Sequence, residues 1–388
     1  MSEETVAFVA GELIAEAMEQ TGFSDFGDLP YREGLDALLA TYDRHVRDPE
    51  GRKRCRDRVV FQLATRLKLE NAFNTISGWQ QQEIVAPVFV TGLPRSGTSA
   101  LLNLLETAPD NRGLLQWEVQ FPDPWPGSAP GDKDPRYDYL ARALEESRDS
   151  DFAKIHYIDA DTPEECVLLH AFAFGGVQLG FEIMLEPYHS WVLAQDLEPL
   201  YRYQKKIMQL LNWRMPGKHW MLKAPAHMLA IDAIIKVFPD ARFVWCHRDP
   251  QAVVPSINSM NKVVMGMYAG DCSHLDAGDM GRAVMEWYAL SLERGLAARA
   301  RLDPALFVDC SQQELVDDPM GVVERVYGQF GMELDCAARA AFTAHIEANP
   351  KGKHGKHEYR LEEYGLTREL IARRFAFYTD DQRWPISQ

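Results

Sequence analysis

Pro87-Val-Phe-Val-Thr91 is an apolar run that stops at a glycine, and Gly92-Leu-Pro-Arg-Ser-Gly-Thr-Ser99 then leads directly into the helix-like text from Ser99 to Thr107. A buried strand, a glycine-bearing loop and a helix in that order constrain the chain more than any other feature. They predict that consecutive backbone N–H groups and a helix N-terminus gather around one anionic oxygen. Gly92 and Gly97 hold the first and sixth positions of the nucleotide-triphosphatase loop, but Thr98 stands where that loop needs a lysine for the β- and γ-phosphates. The loop is therefore expected to hold a single terminal phosphate through Arg95, Ser96, Gly97, Thr98 and Ser99, with the cation moved to Arg95. A plain glycine turn joining strand to helix is the bland alternative.

Three further runs read as strands: Trp220 to Lys223, Arg242 to Cys246 and Ala305 to Asp309. Helical text separates them, as a parallel sheet with crossover helices requires. The expected fold class is α/β, a P-loop-like parallel β-sheet flanked by helices. Residues 1–85 read as a helical preface, with Val60, Leu63 and Leu67 on one face before the Ser77-Gly78 break. The α/β core is assigned to 86–135 and 216–332, with Pro- and Asp-rich loop text from 119 to 138. A helical insertion covers 136–215. Within it Thr162-Pro-Glu-Glu165 has the capping-box pattern and predicts a helix start near 162. Asp318-Pro319, apolar residues to Phe330 and then Gly331 mark another helix. No linker or repeat divides the chain, so a single domain over 1–388 is expected.

Composition narrows the function classes. With 41 basic and 57 acidic side chains in 388 residues the formal net charge is −16, which opposes nucleic-acid phosphates. A hydrophobic fraction of 46% is that of a globular chain and not a disordered one. The longest apolar stretch, Val167 to Leu185, contains His170, Gln178 and Glu182, so no transmembrane segment is expected. The first twenty residues are acidic where a secretory leader is basic, and a cytoplasmic protein is expected. The six cysteines are scattered without a CxxC pair, which predicts reduced thiols and no zinc site.

The run VFVTGLPRSGTSALLNLLETAPDNR resembles the 5'-phosphosulfate loop of sulfotransferases that use 3'-phosphoadenosine 5'-phosphosulfate. FPDARFVWCHRDPQAVVPSINS is similar to the strand and helix that carry the family's 3'-phosphate site, an Arg at the strand end and a Ser eight residues later. Arg248 and Ser256 have that spacing. A guanidinium leaving a strand and a hydroxyl on the next helix can converge on one phosphate. Without the resemblance, Arg248 with Asp249 reads equally as a surface ion pair. The resemblance spans about 87–332 plus a C-terminal stretch. Arg95 and Ala100 replace the Lys and the adenine-stacking Trp of the animal small-phenol branch, so the chain is closer to the bacterial and protein-tyrosine branches. Pro255 falls inside the expected Ser256 helix, which predicts a kink or a late start.

The resemblance also implies catalytic groups. Lys223 ends its strand where the family places a charge-stabilising lysine, at the carboxyl edge that faces the ligand crevice of a parallel sheet. The small-phenol branch puts its catalytic His at the position of Pro225, so that assignment does not carry over; His227 lies nearby. Bacterial members show Trp-Glu after the phosphate loop, and Trp117-Glu118 matches. Glu118 is taken first as the base and His227 second, with a helix-terminal surface acid and a structural histidine as the bland readings. Asn349 to Arg360 concentrates basic residues and resembles the family's Lys-Gly loop, with Lys351, Lys353 and Gly355 closing on the 3'-phosphate. A solvated charge run is the alternative, and a metal site from His354 and His357 lacks completing ligands. Residues 120–126 and 170–191 are rich in aromatic and apolar side chains, suiting an apolar, phenolic or lipid-like alcohol as acceptor, although helix packing explains them as well.

The resulting expectation is sulfuryl transfer from 3'-phosphoadenosine 5'-phosphosulfate to a hydroxyl of a small or lipid-like acceptor, with no metal. A homo-oligomer is left open. A kinase or hydrolase on the same fold, with Asp309 as its magnesium ligand, and a non-catalytic nucleotide or lipid binder are the rivals.

Overall fold

The computed structural model describes residues 6–148, 158–176, 179, 185–349 and 360–386. Its centre is a parallel sheet of five strands in the order β2-β3-β1-β4-β5. These are β1 (Val88–Gly92), β2 (Asn111–Arg112), β3 (His219–Lys223), β4 (Arg242–His247) and β5 (Phe307–Ser311). Register aligns the ends: Val90 lies opposite Lys223, Gly92 opposite Cys246, and Cys246 opposite Cys310. The carboxyl ends of β1, β3, β4 and β5 therefore lie along one edge.

Alternation along each strand sends side chains to two cores. Phe89, Trp220, Leu222, Phe243, Trp245 and Phe307 face a large core shared with the N-terminal helices. Val88, Val90, Met221, Val244, Cys246, Val308 and Cys310 face a smaller one under α4 (Thr98–Glu106) and the helix Pro319–Phe330. The N-terminal text forms α1 (Ala10–Thr21), α2 (Arg32–His45) and α3 (Pro49–Thr75), with Val60, Leu63 and Leu67 buried on α3 as their spacing requires.

Several local expectations hold, and others shift for identifiable reasons. Asp318 caps the helix Pro319–Phe330 through the Gly321 N–H, and Gly331 closes it with a positive φ of 62°. β5 starts two residues later than its apolar text, because Asp303 caps a turn over Pro304–Leu306. No helix begins at 162. There Pro163 bridges Leu115, the Gln116 N–H donates to the Thr162 carbonyl and the Glu164 N–H to that of Leu114, so strand-like pairing overrides the capping box. A 3-10 helix starts only at Cys166 and runs to Ala173. The helix Pro250–Ala269 does not start late: Asp249 caps it, and Pro255 sits within it. Among the described residues the cysteines are free thiols, four of them buried, and no helix is long and apolar enough to cross a membrane.

Candidate active site

The site is built where β1, β3 and β4 end. Gly92, at φ 134°, brings β1 so close to β4 that an added Cβ would lie 2.1 Å from the Cys246 carbonyl oxygen. Only glycine fits there. The loop then turns through Arg95 at φ 63° and Gly97 at φ 93°, and Ser96 is sealed inside with its hydroxyl donating to the Leu93 carbonyl. Gly97 is the N-cap of α4 and has no side chain to cap it, which leaves the first-turn N–H groups of Thr98, Ser99 and Ala100 without intrahelical partners. That is the donor set an anionic oxygen needs at a helix N-terminus.

Lys223 stands beside this loop. The Thr91 hydroxyl donates to the Ala224 carbonyl at 3.0 Å, and the Ala224 N–H reaches the Val90 carbonyl, tying the end of β3 to the start of the loop. The Lys223 side chain is only 3% exposed, and its ammonium pairs with Glu165 Oε1 at 2.9 Å. Glu165 is 27% exposed and precedes the 3-10 helix at Cys166. A buried lysine held by a carboxylate that reaches solvent is a reactive arrangement, because both groups can exchange partners when a ligand enters.

Arg248 follows β4 directly and its guanidinium donates to the Arg95 carbonyl, joining the second predicted phosphate site to the first. Ser256 lies buried in the second turn of the following helix. Asp249 is that helix's cap, accepting from the Gln251 N–H, which accounts for it better than a surface ion pair with Arg248. Arg95, Ser96, Gly97, Thr98, Ser99, Lys223 and Arg248 thus lie along this one sheet edge, and Ser256 lies about two turns into the helix that leaves it. Lys351, Lys353 and Gly355 lie outside the described residues.

Both candidate bases are buried and paired. Glu118 is fully buried; Arg112 grips its two oxygens at 2.7 and 3.1 Å, and the Leu115 N–H donates to it as well. Arg112 in turn stacks 4.2 Å over Trp220, so this carboxylate closes a structural ion pair. His227 is also fully buried, with Nε2 at 3.1 Å from Cys166 Sγ and Nδ1 at 2.7 Å from the Tyr201 hydroxyl. Burial, with His170 and Lys223 nearby, holds its pKa well below the usual value. Neither side chain is exposed. The aromatic text at 170–174 is likewise core: Phe172 and Phe174 are buried, and His170 bonds Gln204 at 2.8 Å.

A sequence model described as the sulfotransferase family matches residues 87–336. The chain belongs to the sulfotransferase family. The crystal structure of sulfotransferase STF9 from Mycobacterium avium is 30% identical, with a TM-score of 0.89 and coverage of 100% of this chain and 99% of that one. Sulfotransferase STF1 from Mycobacterium tuberculosis H37Rv gives 30% identity and a TM-score of 0.84, covering 95% and 98%. The omega-hydroxy-beta-dihydromenaquinone-9 sulfotransferase Stf3 of Mycobacterium tuberculosis is 27% identical over 146 residues, a match that spans 37% of this chain and 37% of that relative's length. The strand–loop–helix at 88–106 is legible in the sequence. In the sequence Glu165 reads only as part of a capping box, and nothing in the spacing links it to Lys223, 58 residues away.

Proposed function

We propose that this protein moves a sulfuryl group from 3'-phosphoadenosine 5'-phosphosulfate to the hydroxyl of an apolar, lipid-like acceptor. The observation that carries the proposal is the Lys223–Glu165 pair beside an uncapped helix N-terminus. The loop and first-turn N–H groups from Arg95 to Ser99 bind the 5'-phosphate, and Arg248 with Ser256 binds the 3'-phosphate. Lys223 turns from Glu165 toward the oxygen that bridges sulfur and phosphorus and stabilises the charge that collects there. Glu165, released from the ammonium, takes the proton of the acceptor hydroxyl. The acceptor oxygen bonds to sulfur as the sulfur–oxygen bond to the 5'-phosphate breaks, leaving a sulfate ester, the 3',5'-bisphosphate and a protonated Glu165. Support for a lipid-like acceptor comes from the omega-hydroxy menaquinone in the name of one relative.

A magnesium-dependent kinase or hydrolase is disfavoured by particular residues. Thr98 replaces the phosphate-loop lysine, and Asp309, the carboxylate that such a site would use, is held bidentate by Arg299 at 2.6 Å with His247 on the same oxygen as one of those bonds. Calorimetric titration with 3'-phosphoadenosine 5'-phosphate, beside ATP with magnesium, tests the donor. The expected result is binding of the bisphosphate that Arg248→Ala weakens by about 100-fold, the order set by losing a charged hydrogen-bonding partner. Preference for ATP with magnesium overturns the proposal.

A further inference from the structure

Two side-chain contacts, not one, join the segment carrying Glu165 to the end of β3. Cys166 follows Glu165 directly, and its Sγ is 3.1 Å from Nε2 of His227, which stands on the turn that leaves Lys223 with its own N–H on the Ala224 carbonyl at 3.2 Å. His227 Nδ1 is 2.7 Å from the hydroxyl of Tyr201, on the helix Glu198–Arg214. The imidazole also meets the Phe89 ring of β1 edge to face, at 5.0 Å and 89°. Cys166, His227 and Tyr201 are all buried. Burial keeps the three groups neutral: it pushes the Cys166 thiol up to about 12, raises Tyr201 well above its usual value and lowers His227 well below its own. A neutral imidazole has one donor and one acceptor nitrogen, and a thiol or phenol hydroxyl can do either, so every member of the chain is satisfied in either tautomer.

We infer that Cys166, His227 and Tyr201 are positioning residues that hold Glu165 in place while Lys223 is turned to the donor. This rests on the reading of Glu165 as the base. In that chemistry the ion pair opens before the proton moves, so Lys223 cannot be what fixes the carboxylate at the decisive moment. The backbone anchors on either side of Glu165 remain: the Glu164 N–H on the Leu114 carbonyl at 2.7 Å, and the Cys166 thiol on His227. The Leu168 N–H on the Glu165 carbonyl sets the local turn, but only the thiol contact ties that turn to the end of β3 on the Cys166 side. A base has to sit within hydrogen-bond reach of the hydroxyl it deprotonates, and a fully satisfied buried polar chain rigidifies its surroundings.

Sulfate transfer from 3'-phosphoadenosine 5'-phosphosulfate to long-chain polyprenyl alcohols, at saturating donor and counted per site that binds 3'-phosphoadenosine 5'-phosphate, separates positioning from general damage. In Cys166→Ala turnover per site should fall by about tenfold, within the roughly 100-fold that a misplacement of about 1 Å can cost, while the donor KM and the affinity for the bisphosphate stay unchanged. Tyr201→Phe, which keeps the ring and its packing, should lower turnover in the same direction. Placed on Glu165→Gln, Cys166→Ala should add no further loss, because its effect runs through the carboxylate already removed. Unchanged turnover per site in both Cys166→Ala and Tyr201→Phe, or losses that multiply on the Glu165→Gln background, overturn the inference. Wild-type turnover in Glu165→Gln alone is a different failure: the assignment of Glu165 as the base falls first and carries this inference with it.

Discussion

The donor edge and the segment that covers it, residues 158–176, are built in opposite ways. At that edge, the residues proposed to hold the donor sit on contiguous text: a strand, a loop and a helix from Val88 to Glu106, then a strand, Arg248 and a capped helix. Over it, Glu165 is brought to Lys223 by an irregular segment held through the Leu115–Pro163 bridge. Backbone groups dominate the first region and paired side chains the second. The contrast is sharpest between two carboxylates on neighbouring segments. Glu118 has each oxygen taken and no exposure, whereas Glu165 shares one oxygen with an ammonium and remains open to solvent. Pairing with a cation does not make an acid catalytic; access does.

The comparison can be broken at Glu118. Glu118→Ala leaves Arg112 buried beside Trp220 without its partner, which should cost about 4 kcal/mol of stability in a denaturant titration. Because the carboxylate is buried with both oxygens paired, turnover per folded molecule should change little. A stable variant with lost turnover would return the base to Glu118.

A smaller effect separates the regions by pH. Burial pushes the His170 pKa down to about 4, against a weaker opposing bond from Gln204, and burial lowers His227 and His247 as well. Each stays neutral in the folded protein while the unfolded chain takes up a proton near pH 6.5. Stability is therefore full above about 6.5 and falls as the pH drops toward 4, by on the order of 3 kcal/mol from His170 alone. Thermal melting across that window checks this, and His170→Gln should flatten the decline. A melting temperature that does not depend on pH between 6.5 and 4 contradicts it.

What the sequence made legible follows the same division. β1, its loop and α4, the end of β4 and the helix after Asp318 were readable, because each is specified by adjacent residues whose periodicity, glycines and caps agree. β2 was not, since two residues carry no periodic signal. The capping box at 162 misled because tertiary pairing took its backbone groups. His227 is near Lys223 in sequence and Glu118 matches the family's Trp-Glu, yet their burial depends on Cys166, Tyr201 and Arg112, whose approach no local pattern announces. Glu165 needed the fold itself.

Lys223 and Glu165 are the groups proposed to carry the sulfuryl transfer at this edge. Its direct test is transfer of radiolabelled sulfate from 3'-phosphoadenosine 5'-phosphosulfate to a mixture of long-chain polyprenyl alcohols and quinols. Wild type, Glu165→Gln, Lys223→Ala and Glu118→Gln would be compared at equal folded concentration. Labelled lipid is expected with wild type and with Glu118→Gln, and a loss of about 100-fold or more in Glu165→Gln and Lys223→Ala, the size of a lost general base or charge-stabilising donor. Full activity in Glu165→Gln, or no labelled product from the wild-type protein, would contradict the account.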